Sequence, residues 1–353
     1  MARITKGLSL GLAFLVLTGC GGCTKSSRKP SGSGSTFIKP IMDKWIEAYT
    51  KDKSDLEINY QGTGSTAGIK QMTDQSVDFG CTDAFMTAEQ LEVAQKRGGE
   101  VLHIPLVMGA IVPAYNLKGV DKPINFSAEV LAGIFLGDIK MWNDPALKKL
   151  NEGVSLPEKK IAVVHRTEGS GSTFIFTSYL QKSSKAWQDS GVGADTTVKW
   201  KAEIGTGEQG NPGVAGFISH TEGSIGYLEL YYALLKKDEI EFGAVQNQAG
   251  KFIRADLKSV TRAAENSLKD KNRITDDLNM DLLNAPGEES YPISGATWAV
   301  LYTDQDAPLG KALVDFFTWA THEGQKYNES MNYARLPEAL VKRIEEKLQT
   351  IKK

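Results

Sequence analysis

A strand that runs into a glycine–serine turn and continues as a helix leaves little choice of fold class, and this chain repeats that turn. Gly32-Ser33-Gly34-Ser35-Thr36-Phe37-Ile38 and Gly169-Ser170-Gly171-Ser172-Thr173-Phe174-Ile175 are the same heptapeptide. Gly62-Thr63-Gly64-Ser65-Thr66 is a looser third copy. Before the second copy runs Ile161-Ala162-Val163-Val164, a short apolar stretch of the buried-strand type. After it, Phe174, Ser178 and Leu180 begin a helical pattern. The glycines let the backbone bend closely around a bound group. Ser170, Ser172 and Thr173 offer hydroxyls and helix-capping geometry. The free N–H groups of a first helical turn point into the same space, and the helix dipole favours negative charge there. Arg166 adds a permanent cation with a planar donor fork. These are the parts of an oxyanion site, and several copies predict donors gathered from distant segments onto one small anion.

The rest of the chain alternates between strand and helix. Ile38, Ile41, Met42, Trp45 and Tyr49 form one face of a helix after the first copy, with Pro40 tolerated in its first turn. Leu56–Tyr60 reads as a strand feeding the third copy and a helix to about Gln75. Val77–Gly80 reads as a strand that delivers Cys81-Thr82-Asp83 at its end, where ligands sit in α/β sheets. A helix over Thr87–Lys96 and two strands, Val101–Leu106 and Ala110–Tyr115, follow. Residues 120–160 read as helix and loop, and Gly205–Gly213 as a glycine-rich loop. Gly223–Tyr227 reads as a turn and strand, Trp298–Tyr302 as an apolar strand, and Pro308–Ala320 and Pro337–Leu348 as closing helices. Such alternation predicts parallel or mixed sheets.

Residues 1–19 read as an export leader. Arg3 and Lys6 form a basic head, and Leu8–Leu17 an apolar core too short to span a bilayer. Leu17-Thr18-Gly19-Cys20 resembles a bacterial lipobox, which implies cleavage before Cys20 and a lipid on its sulfur. The exported protein would then be held at a membrane, facing the periplasm or the cell exterior. Residues 20–31 read as a flexible tether. The three cysteines, Cys20, Cys23 and Cys81, show no zinc spacing with histidine, and no disulfide is predicted between Cys23 and Cys81. No metal or cofactor is predicted. The 41 Lys and Arg stand against 43 Asp and Glu, a net charge of −2, and the leader removes two more cations. That balance argues against nucleic-acid binding by bulk charge. An anionic ligand must be held by local dipoles and a few charges.

Several segments together resemble one family. They are GSGSTF at 32–37, YQGTGSTAGIKQ at 60–71, VDFGCTDA at 77–84, IAVVHRTEGSGSTFIFTSYL at 161–180 and GSIGYLE at 223–229. The chain resembles, over about residues 32–340, the periplasmic phosphate-binding proteins (PstS family) of the high-affinity bacterial ABC phosphate importer. The resemblance implies an α/β, two-lobed periplasmic-binding-protein fold of type II, with the ligand in the cleft between lobes. Residues 32–108 and 290–353 would form lobe I, and 109–289 lobe II. It implies a non-enzymatic protein that captures inorganic phosphate and delivers it to the membrane subunits of an importer. Carried over by motif, the phosphate-binding residues are Thr36, Phe37 (through its backbone N–H), Ser65, Asp83, Arg166, Ser170, Gly171 and Ser172. The register differs from that of the internal repeat, which aligns Ser35 with Ser172. The chain also departs from the family pattern. Glu168 stands where Asp is common, Ser172 where Thr is common, and Ile38 where Pro is common.

The residue types suit phosphate. A cleft of donors alone holds any tetrahedral oxyanion. Near neutral pH phosphate still carries a proton and sulfate carries none. Ionised Asp83 accepts that proton's hydrogen bond, whereas sulfate offers it only lone pairs and like charge. Unpaired groups of this kind discriminate by roughly 10⁴–10⁵-fold. The alternatives are a binder of sulfate, molybdate or phosphonate, and a secreted phosphatase. Against the phosphatase, no GxxxxGK[ST] and no GxSxG occurs. The four histidines lie far apart, at 103, 165, 220 and 322.

Overall fold

The chain starts its sheet with three short parallel strands, β1 (Ser31–Gly34), β2 (Asn59–Gly62) and β3 (Phe79–Thr82), ordered β2-β1-β3. This computed structural model describes residues 29–53, 56–201 and 204–352. The expected leader, Cys20 with its expected lipid, Cys23 and nearly all of the expected tether lie outside the described residues. Helices Lys39–Thr50, Ser65–Thr73 and Ala88–Gly98 follow the three strands in turn. The first buries Ile41, Met42, Trp45 and Tyr49, the face its periodicity predicts. Each such side chain contributes about 1.5–3 kcal/mol when fully buried.

The two apolar runs near 101 and 110 are one strand, not two. β4 (Val101–Asn116) is buried from Leu102 to Tyr115. It changes partner rather than direction. Val101–Ala110 pairs antiparallel with the last strand of the chain, and Ile111–Asn116 pairs antiparallel with a strand from the middle. Its prolines do not break it, and Pro105 lies beside an irregularity in the register opposite Thr297 and Trp298, where a ladder tolerates a missing donor.

The middle of the chain supplies β5 (Asn125–Phe126), β6 (Ala162–Arg166), β7 (Thr206–Glu208), β8 (Ser224–Glu229), β9 (Glu241–Phe242), β10 (Ala244–Gln246) and β11 (Phe252–Arg254). The last strand is β12 (Ser294–Tyr302). Among the described residues the main sheet has the order β2-β1-β3-β12-β4-β8-β6-β7, with β9 also on β4. The stretch 120–160 is therefore not only helix and loop, because β5 joins β10 and β11 in a small separate sheet. β4 and β12 lie at the centre of the main sheet. On one side of them the strands come from the start of the chain, and on the other from its middle. The carboxyl ends of β3 and β6 carry Asp83 and Arg166 towards each other. The helices Gly171–Ser183 and Gly210–His220 follow β6 and β7.

Candidate functional site

Asp83 follows β3 directly and is buried. Its Oδ2 accepts from Ser35 Oγ at 2.7 Å and Ser65 Oγ at 3.4 Å, and its Oδ1 from Thr297 Oγ1 at 2.6 Å. Burial pushes its carboxyl up to about 6, against the opposing pull of these hydroxyls and of Arg166. Its position at a strand end is the one the sequence predicts. Thr297, which orients it from β12, was not legible as a site residue. The signal was a single threonine in the apolar run 295–301.

Arg166 is the last residue of β6 and is buried. Its Nε donates to Glu168 Oε1 at 2.9 Å, and its Nη2 pairs with the same oxygen. Nη2 also reaches Thr36 Oγ1 at 3.3 Å. Gly210 N donates to Glu168 Oε1 at 3.0 Å as well. The longer Glu thus keeps the pairing expected of an Asp here. Arg166 Nη1 is buried without a partner among the described residues, as is Glu168 Oε2. A buried guanidinium donor left unpaired costs about 1–3 kcal/mol or more, so Nη1 is a donor in need of an acceptor.

The second heptapeptide caps its helix as predicted. Ser170 is the N-cap, its hydroxyl accepting from Thr173 N at 3.2 Å, and the helix begins at Gly171. Gly171 N donates to Ser65 Oγ at 3.1 Å, which joins this helix start to that of Ser65–Thr73. A Cβ on Gly171 would collide with the Asp83 side chain and come within 2.6 Å of Ser65 Oγ. The close approach requires glycine there. Ser172 is buried, with its hydroxyl 3.4 Å from Asn211 Nδ2.

The first heptapeptide behaves differently. Gly32-Ser33-Gly34 is strand, and the helix waits until Lys39. Thr36 lies in the turn between them, and its Oγ1 meets Asn211 Nδ2 at 2.9 Å and Asn211 N at 3.1 Å in addition to Arg166. The Phe37 N–H donates to Ser35 Oγ at 2.9 Å. The carbonyls of Thr36 and Phe37 are held by Tyr232 OH at 2.8 Å and Tyr333 OH at 2.7 Å. The structure therefore brings Thr36, Phe37, Ser65, Asp83, Arg166, Ser170, Gly171 and Ser172 to one buried locus. Thr36 and Arg166 are in direct polar contact, as are Ser65, Gly171 and Asp83. Ser170 spends its hydroxyl on its own helix. The stretch 205–213, expected as a loop, is β7 followed by the start of helix Gly210–His220, and Asn211 in that first turn is the main member the sequence did not assign.

The arrangement is donor-rich, with the Glu168 carboxylate paired to Arg166 and that of Asp83 held by hydroxyls. A guanidinium, the hydroxyls of Thr36, Ser65 and Ser172 and the N-termini of helices 65–73, 171–183 and 210–220 converge there. Such a locus suits a small oxyanion. The histidines are elsewhere. His165 stacks on Trp200 and His103 on Phe85. The Nδ1 atoms of His220 and His322 meet helix carbonyls. Among the described residues no group of acidic, His and Cys side chains has the makings of a metal site.

Comparison with known proteins points to one family and one fold. A family model for the PBP superfamily domain matches residues 24–321. The chain is 38% identical over 329 residues to the phosphate-binding protein PstS of Pasteurella multocida, covering 93% of this chain and 92% of that one. It is 35% identical to the phosphate-binding protein PstS of Methanocaldococcus jannaschii, covering 95% and 92%. In three dimensions it is similar to PfluDING, a high-affinity periplasmic phosphate-binding protein solved with phosphate. The TM-score is 0.71 at 19% identity, with 90% of this chain and 93% of that chain covered. A phosphate-binding protein from Stenotrophomonas maltophilia gives a TM-score of 0.70 at 18% identity, with the same coverage. At such identities these two comparisons speak for the fold.

Proposed function

The chain belongs to the PstS family of phosphate-binding proteins, and on that premise we propose that it captures inorganic phosphate at the Asp83–Arg166 locus and hands it to an ABC importer. The family consists of solute-binding components of transporters rather than enzymes. The observation that carries the reading is the pairing of opposites in one buried place. Arg166, with one guanidinium nitrogen unpartnered, serves the ionised oxygens of phosphate. Asp83 serves the oxygen that still carries a proton. A fully ionised tetrahedral anion meets the first and is repelled by the second.

In this reading the ligands are Thr36, Phe37, Ser65, Asp83, Arg166, Ser170, Gly171 and Ser172. They come from two sides of the central strands β4 and β12, so the lobes are 32–108 with 290–353, and 109–289. The change of partner along β4 at Ala110 and Ile111 supports a hinge there. Contacts from the first third of the chain to its middle support a closed arrangement. Among them are Gly171 N to Ser65 Oγ, Thr66 N to Gly169 O at 3.1 Å and Thr66 Oγ1 to Thr196 Oγ1 at 3.0 Å. Neither set alone satisfies the oxygens of a phosphate, so ligand favours closure through contacts the open form lacks. A lipid on Cys20 would hold the exported protein at its membrane, and Cys20→Ala should then release it to the soluble fraction.

Calorimetry on phosphate-stripped protein tests the site. Phosphate should bind and sulfate should not compete. Arg166→Ala should lose about 2–5 kcal/mol of phosphate affinity, because a buried anion is left without its main cation. Equal binding of sulfate, or an unaltered Arg166→Ala variant, overturns the assignment.

A further inference from the structure

We propose that Asn211 is a positioning residue that turns Thr36 and Ser172 into obligate hydrogen-bond donors toward the ligand, so that this corner of the site admits only an ionised oxygen.

The inference rests on the phosphate site proposed above and deepens it. Asn211 is buried in the first turn of helix Gly210–His220. Its Oδ1 accepts from Glu229 N at 3.0 Å. A backbone N–H can only donate, so this bond fixes which end of the amide faces which way. The Nδ2 end therefore faces the site. It donates to Thr36 Oγ1 at 2.9 Å and lies 3.4 Å from Ser172 Oγ. The Asn211 backbone N–H donates to the same Thr36 oxygen at 3.1 Å, and Arg166 Nη2 approaches it at 3.3 Å.

A hydroxyl has two lone pairs and one proton. Every group that meets Thr36 Oγ1 here is a donor, so the lone pairs are engaged and the proton must point elsewhere. Thr36 is thereby set to donate and cannot accept. Ser172 is biased the same way from the same amide. Asp83 can only accept while ionised. The site thus holds fixed donors and a fixed acceptor. The donors read a bare oxygen and the acceptor a hydroxyl, and a tetrahedral anion must supply both. Asn211 also ties Thr36, from the start of the chain, to Ser172 from its middle.

Binding of inorganic phosphate by calorimetry, with melting temperature as the control for folding, reads the effect. If the parent chain does not bind phosphate, the functional reading falls. If the parent binds, the variants test Asn211 alone. Asn211→Ala should weaken phosphate by about 10-fold through loss of orientation. Asn211→Asp keeps the shape but replaces the donor with an acceptor. Thr36 and Ser172 then donate to it instead of to phosphate, and affinity should fall by more than about 100-fold. A merely structural role predicts that Asn211→Ala, which leaves a void, is the worse of the two. The Asn211→Ala loss should also vanish in a Thr36→Val, Ser172→Ala background, since both hydroxyls it acts through are gone. Should the variants fail to fold, the parent still decides the matter. With asparagine-selective ¹⁵N labelling, one side-chain amide should be slow to exchange and shift on phosphate addition. Equal losses for Ala and Asp, an undiminished loss in the Thr36→Val, Ser172→Ala background, or no shifting side-chain amide overturns the proposal.

Discussion

Residues 32–38 and 169–175 are letter-for-letter the same, yet they fold differently. In the first copy Gly32 and Ser33 lie between β2 and β3, and Gly34 has a φ of +132° against the Cys81 backbone. In the second copy Ser170 caps a helix that starts one residue later. Thr36 therefore faces the ligand locus, whereas its counterpart Thr173 is turned inward to Tyr227 OH at 2.7 Å. Phe37 is fully buried in the core, and Phe174 is only half-buried. The copies meet on one carboxylate. Ser35 Oγ donates to Asp83 Oδ2, and Gly171 packs against the same side chain. A heptapeptide thus supplies hydroxyls and flexible backbone, and neighbouring strands decide which of them face the ligand.

The sharpest way to separate the copies is at their second glycines. Gly34→Ala puts a Cβ into the Cys81 backbone at a φ that side chains avoid. We expect a loss of about 4 kcal/mol or more in unfolding free energy by urea titration. Gly171→Ala sits in a helix, where alanine is favoured by roughly 1 kcal/mol, and clashes instead with Asp83. It should unfold within about 2 kcal/mol of the parent while phosphate binding is lost. If Gly171→Ala proves the less stable of the two, the copies are not divided between frame and site in this way.

Asp83, the point where the copies meet, should give the next largest effect. Its folded value of about 6 lies above the ordinary value of 3.8, so the folded protein holds the proton more tightly. Stability from this group is greatest below the unfolded value, falls as pH rises toward 6, and is flat above it. The fall amounts to roughly 3 kcal/mol. In phosphate-free buffer, subtracting the Asp83→Asn curve from the parent's between pH 3 and 7 should expose it. The same substitution removes the like charge opposing sulfate, so sulfate should compete at neutral pH. A flat difference curve together with unchanged sulfate exclusion would count decisively against Asp83 as the discriminating group.

The smallest contrast is between the two threonines. Thr36→Val should cost about 1.5–3 kcal/mol of phosphate affinity, the range for a hydrogen bond to a charged group. Thr173→Val should cost about 1 kcal/mol of stability through the Tyr227 bond and leave affinity within 2-fold of the parent. A Thr173→Val variant that binds phosphate as poorly as Thr36→Val would mean the equivalence by letters is real after all.

Local signals in the sequence carried a long way. The apolar face Ile41, Met42, Trp45 and Tyr49 gave its helix because a 3.6-residue period has few other solutions. Asp83 and Arg166 were legible because each follows a short apolar strand, and the ends of such strands are where a sheet exposes side chains to ligand. Ser170 was legible as a cap because capping is settled within four residues. Tertiary structure alone decided the rest. Whether β4 was one strand or two depended on β12 and β8, more than a hundred residues away. The choice between Ser35 and Thr36 as the ligand-facing hydroxyl depended on Asp83, which takes the Ser35 hydroxyl, and on Asn211, which meets that of Thr36. Thr297 and Asn211 entered the site only because β12 lies beside β3 and helix 210–220 points at Thr36. Propensity and periodicity act within a few residues and leave a trace in the letters. Convergence of donors on one oxygen is set by the distances between segments, which no short window of sequence contains.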